Sequence, residues 1–156
     1  MKKLLLIAFA LSLYCHSFAQ TTSPTKAPYD SVLAKKLGAD QYGMKKYVMA
    51  FLKAGPHRLT DSVAREKLQA AHLKNIGRLV AEGKLIIAGP FLDDQSIRGI
   101  FIFNVETVEE ARKLTETDPA IQAGSLIMEL HPWYGSAALM EVVPIHKTIQ
   151  AKSIAD

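Results

Sequence analysis

Residues 47–52 read Tyr47-Val48-Met49-Ala50-Phe51-Leu52 and run out at Gly55-Pro56. The stretch is apolar on both alternate sets of positions, and its shortness and Gly-Pro punctuation favour a strand over a helix. A second stretch of the same kind, residues 98–105, carries Phe101, Phe103 and Val105 on one set and Ile100 and Ile102 on the other. Two strands that are apolar on both sides need cover on both sides. At about 25 cal/mol per Å² of apolar area, leaving one such face in water forfeits several kcal/mol. A layer of helices is one cover, and a second sheet, most simply that of an identical subunit, is the expected other.

Between the two strands, Thr60-Asp61-Ser62 supplies N-cap candidates for a long helix over residues 63–82, which Gly83 ends. At about 100° per residue, Leu68, Ala71, His72, Ile76 and Leu79 fall within one arc of roughly 140°, the core face, and His72 lies inside it. Leu85-Ile86-Ile87-Ala88, closed by Gly89-Pro90, reads as another strand. Asp93-Asp94-Gln95-Ser96 is the polar turn joining it to residues 98–105. Thr107 and Glu110 form a T-x-x-E capping box opening a second helix, with Val108, Ala111 and Leu114 at helical spacing and a stop near Thr117. After Asp118-Pro119 and Gly124, residues 126–130 make a last strand leading into His131-Pro132-Trp133-Tyr134-Gly135. Residues 139–143 read as an added edge strand closed by Pro144. The order strand, helix, strand, strand, helix, strand predicts an α+β class, a ferredoxin-like βαββαβ subunit with an antiparallel sheet.

Upstream, Lys2-Lys3, the apolar residues 4–13 and Ser17-Phe18-Ala19 have the three-part pattern of a secretory signal, with cleavage expected after Ala19. The apolar run is far short of the roughly 20 residues that span a bilayer, so no membrane anchor is expected after cleavage. Tyr14 is bulky where a lipoprotein signal before Cys15 carries a small residue. Taking nineteen residues from 156 leaves 137, enough for one domain and too few for two ordinary ones. The single cysteine leaves with the signal, which excludes disulfides and a cysteine nucleophile. Without Lys2 and Lys3 the balance is 17 basic against 15 acidic residues, scattered with no basic stripe, and no nucleic-acid partner is expected. The expected organisation is a signal peptide over residues 1–19, a Thr/Ser/Pro-rich tether over 20–43 with a short helix near 30–37, the domain over 44–144 and a polar tail over 145–156. The location is periplasmic or secreted.

With these elements placed, residues 44–141 resemble the YCII-related family. The likeness rests on Ala71-His72-Leu73, Glu82-Gly83-Lys84-Leu85, Ala88-Gly89-Pro90-Phe91, Arg98-Gly99-Ile100-Phe101, Asp118-Pro119-Ala120 with Gly124, and Glu129-Leu130-His131-Pro132-Trp133. The resemblance implies dimeric α+β barrels built from ferredoxin-like subunits. It also implies a histidine–aspartate acid/base pair in a pocket between helices and sheet, at His72 and Asp118. Proteins similar in fold include lactone isomerases, cofactor-independent monooxygenases and dehalogenating enzymes acting on hydroxylated aromatics, and fold does not choose among them.

Each candidate has a plainer reading beside the functional one. His72 is either a core histidine satisfied by a hydrogen bond or a proton carrier oriented by a carboxylate. Asp118 before Pro119 is also what an N-cap looks like, and its two oxygens allow both roles. His131 and Trp133, on alternate positions, could wall a substrate pocket or anchor a dimer interface. Arg58 and Arg98 are candidates to bind a substrate carboxylate or are solvated surface groups. No HExxH or other compact metal spacing, GxSxG elbow, GxGxxG or P-loop is present, so neither cofactor nor metal is expected. Two functions are consistent with these residues. One is an exported, cofactor-independent enzyme of lyase or isomerase type moving a proton on a small organic molecule. The other is a non-catalytic ligand-binding or assembly module; a homodimer is expected in either case.

Overall fold

A computed structural model describes residues 27–154 of the chain. Residues 1–30 and 31–156 are separate units; of the first, residues 27–30 are described, and they are exposed and without regular structure. The expected signal and cleavage site lie outside the described residues.

The second unit opens with α1 (Ser31–Leu37), which ends where Gly38 takes a φ of 69°. The sheet-forming elements follow as β1 (Met44–Ala54), α2 (Ser62–Ala81), β2 (Leu85–Pro90), β3 (Ile97–Phe103), α3 (Val108–Thr115), the single turn α4 (Pro119–Gln122) and β4 (Leu126–Ser136). The four strands form one antiparallel sheet in the order β2-β3-β1-β4. This is the α+β, ferredoxin-like arrangement that the order of elements requires. The central pair is β1 with β3, the two stretches apolar on both sides, as burial from both faces demands.

The helix-covered face is built by Val48, Ala50 and Leu52 of β1 with Phe101 and Phe103 of β3, packed against Leu79 of α2 and Ala111 of α3. Helix α2 starts at Asp61, whose side chain accepts from Ala64 N at 2.7 Å, and α3 carries the complete Thr107/Glu110 capping box. The opposite face holds Tyr47, Ile86 and Ile102, all buried.

Part of that opposite face is covered by the chain itself. Residues 139–143 do not form an edge strand. A 3-10 turn (Ala137–Glu141) instead carries Leu139 and Met140 onto the Tyr47 cluster, and α5 (Val142–Ile149) follows. Pro144 lies in the first turn of α5, where the missing N–H has no helical acceptor to satisfy, so it does not stop the chain as the sequence suggests. The expected polar tail over 145–156 is therefore helical to Ile149, and its Ile154 comes to rest beside the helix-side cavity described below.

Strand β4 also runs further than expected, through Pro132 to Ser136. It is an edge strand with β1 as its one neighbour, and an edge tolerates a residue without an N–H.

Candidate active site

The site starts from a helix stripe. His72 stands midway along α2, and its side chain is 9% exposed against 1% for that of Asp118. Asp118 caps α4: its Oδ1 accepts from Ala120 N at 2.8 Å, with Pro119 at the first helical position. Its Oδ2 lies 2.7 Å from His72 Nδ1. One carboxylate thus closes a helix end and fixes an imidazole, the dual role that Asp-Pro and His72 allow in the sequence.

The pair is held from both sides. The imidazole stacks on Phe101, with ring centroids 6.1 Å apart and planes 14° from parallel. One turn along α2, Asn75 Oδ1 accepts from Arg78 at 2.9 Å and from Thr117 Oγ1 at 3.2 Å, while Arg78 also donates to Thr117 Oγ1 at 2.8 Å. This small network ties the segment immediately before Asp118 to the helix carrying His72. Asn75 is not apparent in the sequence; a polar residue three positions after a core histidine is its one signal.

With Nδ1 committed to Asp118, Nε2 is the free ring nitrogen. It has no hydrogen-bond partner among the described residues. Asn75 Nδ2 is the one sealed side-chain atom there without a partner, so Nε2 is not sealed. His72 lines a cavity of about 760 Å³ between α2 and the sheet, a size that suits a small organic molecule. Leu52, Leu68, Ile76, Phe101 and Leu126 supply apolar walls. Arg58, Arg65, Arg98, Gln69 and Thr60 supply polar groups. A bare imidazole nitrogen in such a setting can accept a proton from a bound molecule and return it.

The structure brings His72, Asp118, Arg58 and Arg98 to one place and leaves His131 and Trp133 elsewhere. In the β1–β4 register, Leu126, Met128 and Leu130 face the helices, and His131 and Trp133 fall on the other side of the sheet. His131 Nε2 pairs with Glu129 Oε1 at 2.8 Å and sits edge-on to Phe51, and Trp133 packs on Tyr47 with centroids 5.8 Å apart. Neither lines the His72 cavity. Alternation counted from Leu126 shows why. Arg65 and Gln69, which the sequence does not single out, stand seven and three residues before His72 on the same helical stripe; following that stripe back finds them.

Among the described residues no group of three His, Cys, Asp or Glu side chains is placed to hold a metal ion. None of the helices there is long and apolar enough to cross a membrane.

A ferredoxin-like subunit with a carboxylate-held histidine opening into a cavity between helix and sheet defines a small α+β domain with the parts of an acid/base site. The chain belongs to the YCII-related domain family, whose profile matches residues 46–134. The protein YjpA of Bacillus subtilis (strain 168), itself uncharacterized, is 31% identical over 64 residues, covering 41% of this chain and 73% of that one. Among solved structures, the 5-chloro-2-hydroxyhydroquinone dehydrochlorinase TftG from Burkholderia phenoliruptrix AC1100, in complex with 2,5-dihydroxybenzoquinone, is 25% identical with a TM-score of 0.41. That match covers 57% of this chain and 93% of that one.

Proposed function

We propose that the chain is a cofactor-independent acid/base enzyme that moves a proton on a small organic molecule, in a reaction of lyase or isomerase type. The observation that carries this reading is the 2.7 Å contact between Asp118 Oδ2 and His72 Nδ1, with Nε2 left bare in a cavity. The carboxylate holds the Nδ1–H tautomer, so the Nε2 lone pair faces the bound molecule as a general base, and the imidazolium so formed is the acid for the return step. Export through the signal over residues 1–19 and pairing of two subunits complete the reading: the enzyme works in the periplasm or outside the cell.

The test works without the natural substrate. The mature protein is incubated in D₂O with a panel of weak carbon acids, lactones and hydroxylated aromatics among them, and loss of C–H signal is followed by proton NMR. His72→Gln should abolish the catalysed exchange while the melting transition stays cooperative. Exchange as fast in His72→Gln as in the wild type would remove His72 from the chemistry and leave recognition alone as the use of the cavity.

A further inference from the structure

We infer that the molecule bound in the His72 cavity is an anion, an apolar ring or chain bearing a carboxylate or a similarly acidic group, held with its charge toward Arg58 and Arg65. This inference rests on the His72 cavity being the working site. Its own ground is the charge of the lining: three arginines face the cavity, and among the described residues no Asp or Glu lines it. Placing three guanidinium groups around one cavity without a carboxylate in its wall costs mutual repulsion, which an anionic ligand relieves.

The arginines differ in how far they are already satisfied. Arg98 is paired with Asp94 at 2.5 Å, and that hydrogen bond and charge hold the Asp94 carboxyl below the usual carboxylate range, with a smaller contribution from the Arg58 charge. Arg65 makes one long contact, 3.4 Å to Thr60 O. Arg58 feels Asp94 at a distance and makes no hydrogen bond among the described residues. Arg58 and Arg65 are therefore the donors with capacity left for a ligand.

Their position fixes how the ligand lies. Arg65 and His72 are seven residues apart, two turns, or roughly 10–11 Å along α2, and helix side chains lean toward the N-terminus. Arg65 thus points away from His72 toward the loop that carries Arg58. Leu68 and Gln69 lie on the stripe between them. An acidic group at the arginine end leaves an apolar body about the size of one ring along Leu68, with its far end beside Nε2 and Phe101.

The test titrates the mature protein with 4-hydroxybenzoate and with 4-hydroxybenzamide, which keeps the shape and removes the charge, using calorimetry or proton NMR. The expected result is saturable benzoate binding at least tenfold tighter than benzamide binding, weakened by salt. The double variant Arg58→Gln/Arg65→Gln should lose at least tenfold for benzoate and nothing for benzamide, with Arg58→Gln alone as the fallback if the double variant does not fold. Equal binding of the two probes, unchanged benzoate binding in the variant, or no saturable benzoate binding at millimolar concentration would each overturn the inference. His72→Gln separates the two claims: it should keep benzoate binding while losing proton exchange. Anion binding without any exchange in the wild type would sink the proton-transfer reading alone, and exchange on neutral molecules without anion binding would sink this inference alone.

Discussion

Among single residues the site turns on Asp118, whose two oxygens serve two buried donors. Its Oδ1 receives Ala120 N and its Oδ2 meets His72 Nδ1. Asp118→Ala strands both, at about 1–3 kcal/mol for each group left unsatisfied, so a loss of about 2–6 kcal/mol in chemical denaturation is expected. Asp118→Asn should cost much less, because the amide oxygen can keep the cap. That same cap turns the amide NH₂ toward His72, where it donates to Nδ1 and forces the proton onto Nε2. The variant should therefore stay folded and lose its base. The residues alone make Asp-Pro an N-cap pattern and give a histidine inside an apolar arc the need for a partner; that the two meet is what the resemblance to the YCII-related family implies. Arg65 is not legible in the sequence, because a charged residue in the first turn of a helix looks like any solvated surface group until the cavity beside it is known.

One level up, among the helices and strands, caps and edges decide how firmly the site is held. Thr107→Ala removes the acceptor for Glu110 N at 3.2 Å and should destabilise the domain by about 1 kcal/mol, read as a lower denaturant midpoint. The start of β1 depends on Asp40, which accepts from Tyr42 N at 2.9 Å, from Met44 N at 3.0 Å and from the Tyr134 hydroxyl of β4. The Tyr134 hydrogen bond, foremost, holds the Asp40 carboxyl low, and the same bond pushes the Tyr134 hydroxyl up. A depressed carboxyl stabilises the fold above its unfolded value and loses this as pH falls through its folded value. A raised phenol does so below its unfolded value and loses it as pH rises through its folded one. Stability measured against pH should therefore show both losses, below about 4 and above about 10, and Tyr134→Phe should reduce both, the remainder of the second coming from Tyr47, whose hydroxyl burial also pushes up. The Thr107 box is readable as four letters of sequence. The Asp40–Tyr134 tie joins residues far apart in the chain and follows only from the β1–β4 register. The C-terminal turn and α5 escape the sequence because Pro144 stops a strand and starts a helix equally well.

In the molecule as a whole the sheet has one face under helices and one covered in part by Leu139 and Met140 of its own chain. Met49, Phe51, Ile100 and Trp133 remain half-buried on that second face, a strip that a second copy would cover. Light scattering of the mature protein should report twice the monomer mass, and Phe51→Asp should return a folded monomer. The two-sided apolar pattern of β1 and β3 announces a second face in need of cover. It cannot announce that the chain's end supplies part of that cover, since the turn doing so carries no strong periodicity. What the fold finally delivers is one imidazole nitrogen held bare in a cavity, and ¹⁵N NMR of the His72 ring measures that directly. In the neutral side chain the proton should sit on Nδ1 with Nε2 bare, and the two should reverse in Asp118→Asn. A ring protonated at Nε2 in the wild type, or one whose tautomer ignores the Asp118→Asn change, would mean that Asp118 does not set the base.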